Sequence, residues 1–533
     1  MSARKRPAIQ ESKLKSKLTS VADVVVVGSG AAGSFFAERF AHSGRKVVVL
    51  EAGPPWQLSD LRSSQIWSRR LKWGGASVLS TGSHPFGHNM STGWGFGGAA
   101  LHHYAGWPRL HPEDFRTHTL HGRAVDWPIS YADLRPHYDR IQSEMILSGD
   151  AVAEVWRPPG APYPQPPLPV FRQGEVIAAG FNKLGMRVAP APLAILSRPV
   201  PGRSACIFDG WCDAGCPIGS IANPLVMHIP RARAAGAKFI AHANVTKITT
   251  NASGRVNGVR WVDSHGATHE QRAGLVVLAA ATVQNVRLML ASATPRHPNG
   301  IANSSGMLGR GFSCHTVASD YGLFDEPLDN YLGVTAGQQI SQDGYAKNGP
   351  RANGAFGSYQ WGIAPALKPN DLLGIANTRP DLFGDKLRNF LERDGPNIGT
   401  LSAVCETLPG AQRCIELTPQ CDVHGVPLAR VVNTLDRDAL GLFAHANAEG
   451  IAVLKAAGAR ETWNGMMAMT HALGGTVMGN DPATSVCDSY GRTHEDNNLI
   501  IAGGSLFPTA GGGSPTFTIY ALADRATQFL LQH

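Results

Sequence analysis

The apolar positions near the start of the chain fall into blocks of different period. Residues 24–27 are an unbroken β-branched run, the pattern of a strand buried on both faces. From Ala31 to about His42 the apolar residues recur at helical spacing, and Gly44 stands where such a helix ends. Residues 47–50 are a second buried run. Strand, helix and strand in this order predict a βαβ unit. Further on, residues 127–134 predict the entrance of a helix, with Ser130 as N-cap and Asp133 three residues later. Seven prolines between Pro158 and Pro169 predict a semi-rigid linker or surface loop. A short helix is expected over 230–235, with strands over 239–242, 245–248, 256–262 and 274–280. Residues 320–440 read as mixed and mostly β, and 436–457 as helix. No internal repeat or low-complexity tract interrupts the chain.

The join between the first strand and helix carries Gly28, Gly30 and Gly33 as G-x-G-x-x-G. The first glycine allows the tight turn, the second lets backbone approach a pyrophosphate, and the third lets the helix pack on the sheet. The helix start then offers free N–H groups to phosphate. Glu51 follows the second strand, where a carboxylate binds a ribose hydroxyl. Together these predict a Rossmann-like dinucleotide site, for FAD or NAD.

Length, charge and cysteine usage narrow the class. With 533 residues, 43% hydrophobic and 17% charged, the chain is expected to form two closely joined globular domains. The net charge is +8, yet the only dense basic cluster is Arg4, Lys5, Arg6, Lys13, Lys15 and Lys17, in a segment read as a flexible tail over 1–20. No nucleic-acid motif accompanies it, so no nucleic-acid partner is expected. No run of 18 apolar residues predicts a membrane span. Residues 1–20 lack the apolar core of a signal peptide, so cytoplasmic synthesis is expected, with export alongside a signal-bearing partner left open. Eight irregularly spaced cysteines do not make a disulfide framework.

Two glycine-rich stretches carry the chemistry. Gly97 and Gly98 sit in residues 93–104, where backbone must press against something flat or charged. Residues 470–525 hold His471-x-x-Gly474-Gly475-x-x-x-Gly479, Asp488-x-x-Gly491-Arg492, Asn498-Leu499, Gly504-Ser505-x-x-Pro508 and Pro515-x-x-Thr518-x-x-Ala521-Leu522-Ala523-x-Arg525. This constellation resembles the C-terminal signature of the glucose–methanol–choline (GMC) oxidoreductases. The resemblance implies bound FAD and oxidation of a small-molecule alcohol to a carbonyl. The fold it implies is α/β (α+β overall), a Rossmann-like FAD-binding domain with an antiparallel-sheet substrate-binding domain. Residues 21–315 would be mainly the first, 316–465 mainly the second, and 466–533 a return to the first carrying the catalytic histidine.

By the same resemblance His471 is the base that takes the hydroxyl proton, the alternative being a histidine that fills the flavin pocket. Ser514 occupies the second catalytic position, where the family has Asn or His. It is shorter, so it serves with a water, or another group takes the role, or it only packs the loop. Around FAD the resemblance sets Gly28, Gly30, Ala31, Ala32, Gly33, Glu51, Ala52, Gly97, Gly98, Val245, Gly504, Ser505, Pro515 and Thr516. His102 joins them, either linked covalently to the flavin or packed on its ring. Asp488, Gly491 and Arg492 are expected to fix a turn.

Cys206, Cys212 and Cys216 form C-x₅-C-x₃-C-P, a soft-metal loop whose three thiols suit a three-iron cluster. The segment is similar to the loop in large subunits of bacterial gluconate-, glucose- and fructose-type dehydrogenases. That similarity implies a [3Fe–4S] centre and, as partner, a cytochrome c or a small chaperone-like subunit. Three reduced structural cysteines, or a zinc site short of one ligand, are the alternatives. Cys314, Cys405, Cys414, Cys421 and Cys487 are expected to be isolated and buried. The substrate reading is a sugar, polyol or related hydroxyl compound, although Trp107, Trp361 and Trp463 suit an aromatic substrate equally well. An oxidase using oxygen, a non-redox lyase and a degenerate binding subunit are the rival functions.

Overall fold

The computed structural model describes residues 21–533, so the expected tail over 1–20 lies outside the described residues. The βαβ unit forms as its periodicity predicts, with strands Ala22–Val27 and Val47–Leu50 joined by helix Ala31–His42. The two strands pair in parallel, and Val25, Val26 and Val49 are wholly buried between the layers. Lys238–Ile240 adds to one edge, and Thr268–Leu278 and then Leu499–Ile501 extend the other, all in parallel. Helix Ala31–His42 packs its Phe35, Phe36 and Phe40 inward and lies against His228–Ala234 and Thr516–Gln532.

Strand Thr268–Leu278 starts earlier than the apolar run suggested and ends at Leu278. Its first half alternates exposed and covered residues and pairs antiparallel with Val256–Val262, which pairs in turn with Asn244–Thr250. Only its second half enters the buried parallel sheet. The charged residues Glu270 and Arg272 on its solvent face hide the strand from a search for apolar runs.

A second sheet runs in the order Glu461–Asn464, Ser313–Leu323, Ile398–Glu406, Tyr359–Ile363, Gln339–Ser341 and Ala189–Pro190, antiparallel throughout. Ala468–Leu473 also pairs with Ser313–Leu323. Helices Arg437–Ala457 and Arg172–Lys183 pack together on this side of the molecule. A third, small sheet joins Cys414–Cys421, Pro427–Val432 and Val78–Thr81. Parallel α/β layers beside an antiparallel sheet are the expected fold class.

Two expectations about individual residues fail. Cys421 is exposed and Cys414 only half-buried, because their strand runs out of the core and its last three residues face solvent. Cys314, Cys405 and Cys487 are buried as expected. Among the described residues no helix is long and apolar enough to cross a membrane.

Candidate active site

The glycines of the first turn divide by what surrounds them. Gly28 has φ +95°, and a Cβ there would stand 2.5 Å from the Ala279 carbonyl oxygen. A Cβ on Gly33 would stand 2.1 Å from the Gly28 carbonyl oxygen. These two are demanded by the protein itself. At Gly30 the nearest atoms would be the Gly97 oxygen and Gly98 Cα, both at 3.9 Å, so no protein packing requires that glycine. The open space lies at the start of helix Ala31–His42, which has no side-chain cap and no acidic residue in its first turn. Ala31 and Ala32 are the first residues of that helix. Uncapped N–H groups beside a glycine that no protein atom crowds fit the pyrophosphate of FAD.

Glu51, 7% exposed, is more engaged than a ribose ligand need be. One carboxylate oxygen accepts the Ser29 N–H (3.0 Å) and hydroxyl (2.8 Å), and the other accepts the N–H groups of Gly53 (2.9 Å) and Gly95 (3.2 Å). It thus ties the two glycine-rich stretches together, with Ala52 in the turn between, and a ribose hydroxyl would share it with the Ser29 hydroxyl. Val245 lies two residues past Ala243, whose N–H donates to the Glu51 carbonyl at 2.9 Å. Gly97 (φ +95°) donates to the Ser29 carbonyl at 3.2 Å, and Gly98 (φ +52°) would place a Cβ 3.0 Å from Gly30 Cα. A few residues on, His102 Nε2 is buried without a hydrogen-bond partner. Burial, then the charge of Lys72, pushes His102 down to about 3, so the ring is neutral. An orphaned imidazole edge at this turn fits a polar cofactor rim.

On the C-terminal side, Gly504 and Ser505 are buried, and their carbonyls accept the N–H groups of Gly474 and Thr476, each at 3.0 Å. Pro515 caps helix Thr516–Gln532, whose first residue is Thr516, again with no side-chain cap. Asp488 accepts the backbone N–H (3.1 Å) and Nε–H (2.7 Å) of Arg492 around Gly491, the turn-fixing role expected.

His471 sits where the ladder between Ala468–Leu473 and Ser313–Leu323 shifts register, with φ +55°. A non-glycine residue held there is strained by about 1–3 kcal/mol, and bulges of this kind re-aim side chains beside active sites. Its Nδ1 lies 3.1 Å from Nδ1 of His315, the rings nearly perpendicular at 86°. His315 is wholly buried, and its Nε2 lies 2.8 Å from the Gly511 carbonyl oxygen. Burial pushes His315 down to about 4, and burial together with His315 drives His471 well below the usual imidazole value. Both rings are neutral at pH 7, as a base requires.

Ser514 follows the Gly511–Gly513 turn, which is gripped from behind. Gly511 donates to Glu406 (3.1 Å) and Gly512 to the Tyr345 hydroxyl (3.2 Å). Glu406 is paired with Lys347 at 2.7 Å, and Lys347 with Asp114 at 2.8 Å, none more than 1% exposed. Burial pulls Lys347 down, but Asp114 and Glu406 outweigh it and hold it charged, above its usual value. Ser514 itself is half-buried, and its hydroxyl has no protein partner among the described residues. The structure therefore links the His471 and Ser514 positions through His315 and one carbonyl.

Beside Met469, two residues before His471, lies a cavity of about 210 Å³, with Arg69, Lys72, Trp73 and Met90 among its walls. Lys72 reaches 3.2 Å to Asp213, and Lys368 stands 3.9 Å from the same carboxylate. Asp213 belongs to the cysteine loop. In that loop each thiol sulfur accepts one backbone N–H: Cys206 from Phe208 (3.3 Å), Cys212 from Thr335 (3.4 Å) and Cys216 from Ile221 (3.4 Å). Such bonds stabilise metal-bound thiolates. Burial pushes the Cys206 and Cys212 thiols up to about 11 and 12, and raises Cys216 too. As thiols they resist ionisation, a cost that bound iron offsets. Among the described residues the one trio of ligand-type side chains with donor atoms within 4.8 Å of each other is Glu38, Glu144 and His228. The three sulfurs therefore do not converge on a single ion.

The tryptophans leave the candidate site. Trp107 is wholly buried and stacked on Phe517. Trp361 is wholly buried and donates to Glu449 at 2.8 Å, and Trp463 donates to Thr378 at 3.0 Å. Trp107 and Trp361 are thus interior, and Trp463 is half-buried on the edge strand of the second sheet. Sequence reasoning missed His315, Glu406, Lys347 and the Lys72–Asp213 pair. His315, Glu406, Lys347 and Lys72 lie in no spaced motif, Asp213 is only a spacer residue of the cysteine motif, and each acts through contacts distant in the chain.

Comparison with known proteins agrees with this geometry. The GMC oxidoreductase family models match residues 103–317 and 428–523, and an FAD binding domain model matches residues 23–67. The 2-methyl-1,2-propanediol dehydrogenase of Mycolicibacterium austroafricanum is 30% identical over 542 residues, covering 95% of each chain. The fructose dehydrogenase large subunit of Gluconobacter japonicus is 28% identical, covering 96% of this chain and 98% of its own. The crystal structure of pyridoxine 4-oxidase from Mesorbium loti superposes with a TM-score of 0.67 at 16% identity, covering 96% of this chain and 99% of that one. The chain belongs to the GMC oxidoreductase family and is an FAD-dependent oxidoreductase.

Proposed function

We propose that this protein oxidises the CH–OH group of a polyol, sugar or related alcohol and passes the electrons to an acceptor other than oxygen. The acceptor path begins at a [3Fe–4S] centre held by Cys206, Cys212 and Cys216 and continues to a cytochrome c subunit. The observation that carries this reading is a shared wall. Lys72 lines the cavity beside Met469 and is ion-paired with Asp213, between Cys212 and Cys216. The loop that would hold iron is thus fastened to a wall of that cavity. The names of the two relatives, one a diol dehydrogenase and the other a sugar dehydrogenase's large subunit, support the substrate class and the partner.

Bound FAD supplies the hydride acceptor. The residues do the rest. An unprotonated ring nitrogen of neutral His471 takes the substrate hydroxyl proton, so the substrate loses that proton and one hydride and becomes a carbonyl. The Ser514 hydroxyl donates to the substrate oxygen, directly or through a water. Gly30, Glu51 and the Gly97–Gly98 turn hold the cofactor. We assign residues 21–315 and 466–533 mainly to the cofactor domain and 316–465 mainly to the substrate domain.

Anaerobic purification with an iron assay and low-temperature EPR tests this. Flavin with about three irons per chain, EPR-active as isolated, is the expected result. Cys212→Ser should lose the iron and keep the flavin. Flavin with no iron overturns the relay and leaves an oxygen-using oxidase, to be detected by peroxide release.

A further inference from the structure

Two neutral imidazoles facing each other through Nδ1 atoms share one proton, and the question is which ring carries it. The carbonyl oxygen of Gly511 only accepts hydrogen bonds, so the His315 nitrogen 2.8 Å away, Nε2, bears hydrogen. A neutral His315 then has its lone pair on Nδ1. The 3.1 Å contact between the two Nδ1 atoms therefore needs its hydrogen on His471. His471, also neutral, is left with a lone pair on Nε2. We propose that His315 is a positioning residue that locks His471 in the Nδ1–H tautomer, so that Nε2 is the nitrogen that takes the substrate proton. This rests on the reading of His471 as the base.

The far end of the chain of bonds is anchored. The Gly511 peptide is held on its N–H side by Glu406 at 3.1 Å and on its carbonyl side by His315. Glu406 is fixed in turn by Lys347, and the neighbouring Gly512 N–H by Tyr345, whose own hydroxyl donates to Asp114 at 2.9 Å. A carbonyl so fixed cannot turn away to let His315 switch tautomer. Charge on His315 would reverse the lock, since its Nδ1–H would then force the hydrogen of His471 onto Nε2. Burial holds His315 near 4, against the opposing pull of Asp114, and keeps that state rare. The left-handed backbone of His471 belongs to the same device, because it is adopted at the bulge where its strand faces Ser313–Leu323.

The test compares His315→Leu, His315→Gln and His315→Asn in the flavin-loaded protein. Asn retains an acceptor near the Nδ1 position, Gln retains a donor toward Gly511 without that acceptor, and Leu has neither. Ring ¹⁵N spectra of histidine-labelled protein, with His471 assigned through His471→Asn, read the tautomer without turnover. Anaerobic stopped-flow reduction with a substrate alcohol reads the rate. The expected result is an Nδ1–H tautomer in the wild type and in His315→Asn, with reduction rates within about threefold of each other. In the Leu and Gln variants the tautomers mix and reduction slows by about 10²-fold, with flavin content and KM little changed. An unmixed Nδ1–H tautomer with an unchanged rate in His315→Gln overturns the proposal. Undiminished reduction in His471→Asn overturns the base assignment instead, and the spectra still decide the tautomer. Should the Leu variant fail to fold, the Gln and Asn pair suffices.

Discussion

The ammonium of Lys72 stands 3.2 Å from the carboxylate of Asp213, and both side chains are nearly buried. Burial alone would raise the Asp213 carboxyl, but Lys368 and Lys72 outweigh it and hold it below the usual carboxylate value. The pair couples helix Gln65–Lys72, a wall of the cavity beside Met469, to the cysteine loop. Asp213→Ala leaves the nearly buried Lys72 ammonium without its carboxylate, while Lys368 keeps Asp371 at 2.9 Å. A loss of about 3–5 kcal/mol is expected. Chemical denaturation should read it as a lower midpoint with unchanged slope, and the iron content should fall with it.

Gly30 and Gly33 separate cofactor binding from folding. A methyl group on Gly33 meets backbone at 2.1 Å, so Gly33→Ala should destabilise the fold itself. Gly30→Ala meets nothing closer than 3.9 Å in the protein and should leave the melting temperature of the flavin-free chain unchanged. Its methyl group occupies the space assigned to pyrophosphate, so FAD affinity should drop by tenfold or more, about 1.4 kcal/mol. Melting of stripped protein and flavin titration check the two halves.

Asp320 makes the fold sensitive to pH. It lies under Gly450, where a Cβ would stand 2.1 Å from its Oδ2, and that oxygen is buried without a hydrogen-bond partner. Burial pushes the carboxyl up to about 7, and the Asn464 amide on its other oxygen only partly opposes this. The folded chain therefore holds a proton that an unfolded aspartate loses near pH 4. Stability from this group is complete below about pH 4 and declines as pH rises to about 7, by on the order of 4 kcal/mol at the top of the window. Asp320→Asn removes the dependence. Its melting temperature should exceed that of the wild type by much more at pH 8 than at pH 5. Equal shifts at both pH values would contradict the burial argument.

What the sequence discloses follows from how local its signals are. The βαβ unit is legible because residues 24–27 and 47–50 are buried on both faces, which leaves an unbroken apolar run. The capping box at Ser130 and Asp133 is legible because it closes within one helical turn. His471 and Ser514 stand out because many fixed residues surround them at set spacing. His315 has no such frame: residues 313–316 of its strand are all buried, and its partners lie 156 and 196 residues away. Ala189–Pro190 is too short to show any period, yet it completes the second sheet. The exposed Cys421 shows the opposite error, in which residue type suggested burial and a strand running into solvent decided otherwise.

The central claim is that His471 takes a proton while an alcohol reduces the bound flavin. Anaerobic mixing of flavin-loaded protein with a panel of diols, polyols and sugars, followed by visible absorbance, addresses it directly. Bleaching by at least one member in the wild type is expected. His471→Asn should keep its flavin and bleach about 10²–10⁴-fold more slowly. A wild type that no alcohol bleaches, or a His471→Asn variant that bleaches as fast, would contradict the claim.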